Sequence, residues 1–144
     1  MNENVIQNQI SLAAFKATKI EFSCKDNSSF PEESNSGFDL KLSNELISDS
    51  PYHFVKVFHV NIFTKNGETS EFIELNIIFH AIFKCGQKVD EEFLKSDFAK
   101  ISAPAIGFPF LRALVSNITM QAGIAPILLP SINFIQFNNE AESN

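Results

Sequence analysis

Glu71-Phe72-Ile73-Glu74-Leu75-Asn76-Ile77-Ile78-Phe79-His80-Ala81-Ile82-Phe83-Lys84 reads with a period of two. The odd positions Ile73, Leu75, Ile77, Phe79, Ala81 and Phe83 are all apolar. The even positions mix Phe72, Ile78 and Ile82 with Glu74, Asn76, His80 and Lys84. Such alternation predicts a strand with one buried face and one face partly wet and partly apolar. At about 3.3 Å per residue it would reach roughly 40 Å, long for a small domain, and it calls for a large antiparallel sheet covered on at least one face.

Upstream, Asn66-Gly67 signals a hairpin, because both residues tolerate positive φ. It joins this strand to a third strand, Tyr52 to Thr64, with Phe58, Val60 and Ile62 on one face and Val55, Val57 and Phe63 on the other beside His59 and Asn61. A turn around Ser48 to Pro51 precedes it, and Phe38, Leu40 and Leu42 alternate with Asp39 and Lys41 in a half-buried second strand. Lys25 to Gly37 is a polar loop. Phe15 to Ser23 forms a first strand through Phe15, Ala17, Ile20 and Phe22, whose alternation slips near Thr18 and predicts a bulge there. Met1 to Gln9 reads as a frayed tail.

Downstream, Asp90 caps a short helix with Glu91 and Glu92 in its first turn and Phe93, Leu94 and Phe98 as its inner stripe. A longer helix follows over Phe108 to Ala122, its stripe made by Leu111, Leu114, Val115, Ile118 and Ala122, with Arg112, Ser116, Thr119 and Gln121 facing away. Gly123 is placed as the terminating residue, and Pro126 forbids continuation. Strands first and helices last is the α+β order. One domain over residues 1–144 is expected, with disordered tails at 1–9 and 138–144.

Bulk composition narrows the function classes. With 44% hydrophobic and 19% charged residues, the chain affords a packed core. A net charge of -6 argues against a phosphate-backbone binder and fits a basic partner. Met1 to Gln9 has no Lys or Arg and no apolar run, so no secretory signal is expected. No stretch approaches the roughly 20 apolar residues a membrane helix needs; Ala122 to Phe137 comes nearest and is broken by Gly123, Pro126 and Pro130. The two cysteines, Cys24 and Cys85, lack metal-type spacing and any thiolate-activating motif, which favours inert thiols and a reducing cytosol. His53, His59 and His80 lack the close spacing of a metal site, and no phosphate loop, nucleophile elbow or HExxH run is present, so neither an enzyme nor a cofactor is indicated. The 16 phenylalanines, with one tyrosine and no tryptophan, supply apolar area without a polar handle. Surplus area of that kind marks a protein–protein site.

The C-terminal third is the most specific part. It reads Phe108-Pro109-Phe110-Leu111-Arg112, a helix, then Gln121-Ala122-Gly123-Ile124-Ala125-Pro126-Ile127-Leu128-Leu129-Pro130-Ser131-Ile132-Asn133-Phe134. Over Ala103 to Phe134 this resembles the SecB export-chaperone family, which has an aromatic-Pro-aromatic helix start, an Arg soon after, and an apolar, Pro-punctuated crossover loop closing in a Pro-x-Asn-Phe-like run, a place held here by Pro130-Ser131-Ile132-Asn133-Phe134 with one residue inserted or the Pro shifted. The resemblance implies a four-stranded antiparallel sheet with the long helix packed on it and a homotetramer built as a dimer of dimers. It also implies ATP-independent binding of unfolded precursor proteins, which many members deliver to the motor ATPase SecA. The Ile124 to Pro130 loop would then form a groove wall, with Ile127, Leu128 and Leu129 on the client and Phe108, Phe110 and Phe134 as further contacts.

The chain also departs from that pattern. The family's motor-docking surface carries acidic residues in the first strand, where Lys19 and Ser23 stand here; Glu21 is placed on the other face, and Glu68 and Glu71 are the replacements on offer. Ile135 to Asn144 is too brief and too polar for much of a terminal helix. SecB-like chaperones also accompany toxin–antitoxin pairs, where they protect an unstable antitoxin. The residues alone leave other classes open. The apolar loop needs a partner, which is a client or another subunit. A small α+β module with a closed apolar pocket and a plain scaffolding oligomer are the rival classes.

Overall fold

The computed structural model describes residues 10–26, 36–66, 69 and 71–143, with side chains through Ala141. Strands β1 (Ile10–Asp26), β2 (Gly37–Leu46), β3 (His53–Lys65) and β4 (Glu71–Cys85) form one antiparallel sheet in the order β1-β4-β3-β2. A 3₁₀ turn (Phe93–Lys95) and a π-helical turn (Phe98–Ser102) lead into helix α1 (Ala103–Gln121), and helix α2 (Phe134–Ser143) ends the described chain.

Register explains why β4 read so clearly. Phe54 pairs with Phe83, Phe58 with Phe79, Val60 with Ile77 and Ile62 with Leu75, so the odd residues of β4 share a face with the even residues of β3. Phe38, Leu40 and Leu42 of β2 extend that face on one side, and Leu12, Phe15, Ala17, Ile20 and Phe22 of β1 on the other. The pairing of β1 slips at Leu12/Ala14 and at Ala17/Lys19. The second slip is the bulge expected at Thr18; it lets apolar residues that are out of phase in sequence point to one side.

Helix α1 lies on this apolar face. Phe108, Leu111 and Val115 are buried against the sheet, and Phe58 stacks on Phe108 at 6.5 Å between ring centroids. Close approach is possible because residue 107 is glycine: a Cβ there would sit 3.2 Å from the Phe58 ring and 3.3 Å from the Ala81 Cβ. Helix α1 stops in the expected place. Gly123 has φ +85°, and Gly123 N and Ile124 N donate to the Met120 and Thr119 carbonyls in a Schellman pattern.

Several expectations change. The α-helical part begins at Ala103, five residues before Phe108, with Pro104 in its first turn. Asp90 Oδ1 does accept from Phe93 N at 2.8 Å, but Phe98 is exposed rather than inward, because the π-helical turn rotates it off the stripe. Residues from 138 onward are helical through Ser143 rather than a tail. Asn133 Oδ1 caps α2 by accepting from Ile135 N and Gln136 N, Phe134 packs edge-on against Phe108, and Asn138 Nδ2 donates to the Lys100 carbonyl. Those tertiary contacts hold a helix that composition disfavours. Finally, Phe98–Gln121 is one helical run of 24 residues, long and apolar enough by length and composition to cross a membrane. Scattered polar residues interrupt it and hid it in the sequence; packing on the sheet accounts for one apolar face, that of Phe108, Leu111 and Val115, while Ile106, Phe110 and Met120 stay exposed. The expectations for residues 1–9, for Gly67 and for Glu68 fall outside the described residues.

Candidate functional site

Three side chains of α1 tie down the crossover segment that follows it. Arg112 Nε donates to the Leu129 carbonyl at 3.0 Å, Ser116 Oγ donates to the Ile127 carbonyl at 3.0 Å, and Thr119 Oγ1 accepts from Ile127 N at 2.9 Å. Positions 112, 116 and 119 lie on one helix face, so the loop runs back antiparallel along α1, laced to it by side chains. These are residues read from sequence as facing away from the core. They face the loop, and Arg112 is spent on loop carbonyl and hydroxyl oxygens rather than on a carboxylate.

Lacing sorts the seven apolar candidates. Phe108, Leu129 and Phe134 are sealed within the protomer. Ile124 and Ile127 are half-buried. Phe110 is 42% exposed and Leu128 80% exposed. Side chains along Ile127-Leu128-Leu129 thus alternate in direction, and Leu128 points to solvent because the residues on either side of it are anchored by Ser116, Thr119 and Arg112.

A groove of about 450 Å³ opens on the other flank of the loop, between the β2 edge and α2. Phe38, Leu40, Pro130, Ile132 and Phe137 provide its apolar wall, with Asp39, Asn133, Gln136 and Glu140 at the rim. Phe38, Ile132 and Phe137 were missed in sequence as site residues. The signal was present in the β2 alternation and in the Pro130 to Phe134 run, but nothing local said that the two would meet.

A second apolar surface lies on the outer side of α1. Ile106, Phe110 and Met120 are exposed there, and the ring of Phe15 of β1, 48% exposed, lies tilted against that of Phe110 with 4.9 Å between centroids, with Ile20 exposed farther along the same strand. The stripe is continuous with β1, which is paired only to β4 and leaves its other edge open among the described residues.

The first-strand positions behave differently from the sequence reading. Lys19, Glu21 and Ser23 are two residues apart and share one face, the one away from α1, where Lys19 forms an ion pair with Glu21 at 3.4 Å. Glu21 is therefore on the face that carries Lys19 and is paired with it in an exposed ion pair. Glu71, at the start of β4, accepts from Asn66 Nδ2. Among the described residues no group of three His, Cys, Asp or Glu side chains is placed to hold a metal. Burial raises the Cys85 thiol pKa to about 11, which keeps it protonated and unreactive at neutral pH.

A family model described as preprotein translocase subunit SecB matches residues 7–144. The chain belongs to the SecB family. A SecB protein-export protein of Roseobacter denitrificans is 32% identical over 94 residues, 65% of this chain and 55% of that one. An uncharacterized protein of Methanocaldococcus jannaschii is 29% identical over 85 residues, 59% of this chain and 54% of that one. The chain thus aligns with about half the length of the curated relatives it matches. Among solved structures, the SecB-like chaperone Rv1957 of Mycobacterium tuberculosis, in complex with a ChAD peptide from the HigA1 antitoxin, superposes with a TM-score of 0.65 at 13% identity, covering 85% of this chain and 90% of that one. At that identity the likeness establishes the SecB-like fold: an antiparallel four-stranded sheet backed by a long helix.

Proposed function

We propose that this SecB-family chain is an ATP-independent holdase that keeps non-native polypeptides from aggregating by binding their apolar segments along the crossover loop. The observation that carries the reading is Leu128. A leucine 80% exposed at the apex of a loop anchored on both sides is a rigid apolar contact kept in water. The groove on the other flank of the loop, walled by Phe38, Leu40, Ile132 and Phe137, offers a second apolar contact. An extended client laid there gains about 25 cal/mol for each Å² of apolar area buried, with little dependence on its sequence, and releases without fuel when the contacts are many and weak. Precursor proteins of an export pathway are the client class that the family membership supports. A closed pocket for one small apolar molecule is the poorer fit, because the groove is open along its length.

The working unit in this proposal is a homotetramer in a cytoplasmic setting. Ile106, Phe110 and Met120 with Phe15 and Ile20 form the surface that a second copy covers, which assigns Phe110 to subunit contact rather than to client. Phe108, Leu129 and Phe134 serve the site from beneath, holding the helix and loop that present Leu128.

A second reading, protection of an antitoxin, rests on one observation. Lys19 and Ser23 occupy the positions where the resemblance implies motor-docking acids, and Glu21 is engaged by Lys19. Glu71 is engaged by Asn66. Between Lys19 and Ser23 the first strand therefore offers SecA one carboxylate, already paired, where the resemblance implies an acidic surface, and a client delivered elsewhere fits better.

The test is light scattering with a chemically denatured client at stoichiometric ratios. Wild type suppresses aggregation, and Leu128→Asp loses most of that suppression while its unfolding midpoint is unchanged, since the side chain contributes nothing to the core. If wild type leaves scattering unaltered, the holdase reading fails. If Leu128→Asp suppresses as well as wild type, the loop is not the contact. An antitoxin-like preference would appear as tight capture of one short segment with no general suppression.

A further inference from the structure

The face of the sheet turned away from α1 has a charge opposite to that of the chain. Lys16, Lys19 and Lys25 of β1, Lys41 of β2, Lys65 of β3 and Lys84 of β4 all lie on it by register. They include most of the 11 cationic side chains of a protein whose net charge is -6. Only Glu21, Asp39, Glu45 and Glu74 of the 17 acidic residues share that face among the described strands.

Register concentrates the cations further. One row across all four strands runs Lys41, His59, Ile78, Lys19, and the adjacent row runs Ser43, Val57, His80, Lys16. These two rows hold three lysines and two histidines and no carboxylate, although Lys19 also reaches Glu21 of the neighbouring row at 3.4 Å in an exposed pair that an incoming carboxylate can exchange. With strands about 4.8 Å apart, the band is roughly 15 Å from Lys41 to Lys19. Beside it lies a shallow depression of about 510 Å³ lined by Asp39, Lys41, Ser43, His59, Asn61 and Asn76. Asn61 Oδ1 is buried there with no hydrogen-bond partner. A buried acceptor without a donor is costly, so its natural complement is a donor from an occupant.

We propose that this outer face is a docking surface for an acidic polypeptide segment, whose carboxylates meet the Lys41–Lys19 band and whose backbone N–H satisfies Asn61. The sign is opposite to that of the motor-docking surface the resemblance implied, and the proposal stands apart from client holding on the other side of the sheet. A polypeptide is favoured over a nucleic acid on two grounds. Carboxylates at both ends of the neighbouring row, Asp39 and Glu21, interrupt the positive surface, which suits a peptide whose flexible acidic side chains can turn toward the lysines better than a backbone with a fixed charge at every phosphate. A DNA backbone also brings no donor to Asn61, and an RNA backbone only its 2′-hydroxyls, whereas a peptide brings an N–H at each residue.

The assembled full chain is titrated into fluorescein-labelled poly-L-glutamate, with poly-L-lysine and a single-stranded oligo-dT of equal charge as comparison probes, and anisotropy is read at several salt concentrations. Binding of poly-L-glutamate that weakens with salt, and that the charge reversal Lys19→Glu with Lys41→Glu reduces by about tenfold or more, is the expected result. Both side chains are exposed, so the variant's circular dichroism and its suppression of client aggregation stay at wild-type values. A milder variant, Lys19→Gln with Lys41→Gln, gives a smaller loss in the same direction. No binding of poly-L-glutamate at low salt overturns the proposal, as does binding that the reversal leaves intact. Oligo-dT binding as tightly, with the same sensitivity to the reversal, also overturns it by showing an unselective polyanion patch.

Discussion

Replacing Lys56 by methionine isolates a cost that the fold carries at its centre. Lys56 sits on the helix-covered face of β3 between Phe54 and Phe58, opposite Ala81 of β4, and is 4% exposed. Its Nζ donates to Asn44 Oδ1 at 3.0 Å, and no carboxylate is among its bonded partners. Burial, and secondarily the positive charge of Lys100, lower its pKa from 10.5 to about 8. Because the unfolded chain holds this proton up to the ordinary lysine range, the unfolded state binds more protons between about pH 8 and 10.5, and stability rises through that window. Below about pH 8 both states are protonated and the penalty is constant. At 1.36 kcal/mol per pKa unit the penalty is of the order of 3 kcal/mol, and loss of the Asn44 hydrogen bond takes back about 1 kcal/mol of it. Lys56→Met keeps the length of the side chain and removes the charge. The expected outcome is a variant more stable than wild type by about 2 kcal/mol at pH 7, with the gap closing by pH 10.5. Urea unfolding of both proteins at pH 7, 8, 9 and 10, at one fixed protein concentration, reads it. A variant less stable than wild type at pH 7, or a difference that does not change with pH, refutes the assignment of a desolvated charge.

Two further outcomes follow from the loop. Thr119→Val preserves shape but leaves Ile127 N–H without its acceptor, costing about 1–3 kcal/mol, and hydrogen exchange at Ile127 accelerates while β4 amides stay protected; unchanged protection at Ile127 would show that the hydroxyl is not the tether. Gly123→Ala meets open space, so its cost is confined to the positive φ, about 1 kcal/mol, seen as a small drop in thermal midpoint with client holding retained; a stabilised variant would mean that the helix ends differently.

What was legible in sequence was local and periodic. The alternation of Ile73, Leu75, Ile77, Phe79, Ala81 and Phe83 follows from the two-residue repeat of a strand, and it named the face on which α1 lies. The slip at Thr18 and the stop at Gly123 were legible for the same reason: each depends on backbone preferences within a few residues. The crossover segment was recognisable as a whole, but the sorting within it was not. Arg112, Ser116 and Thr119 read as a solvent face because helical periodicity cannot say that a loop returns over them.

Tertiary structure alone decided the rest. Helix α2 exists because Asn133 caps it and Phe134 reaches Phe108, contacts worth more than the weak propensity of a polar decapeptide. Phe108, Leu129 and Phe134 became core while Leu128 stayed in water, a division set by three hydrogen bonds spanning 8 to 17 residues of chain. Lys16, Lys19 and Lys41 come from opposite edges of the sheet, and only the order β1-β4-β3-β2 brings them into one band on a protein of the opposite net charge. Periodicity assigns a residue to one side of its own strand; which residues of other strands stand beside it is fixed by pairing across the sheet, and no single segment carries that information.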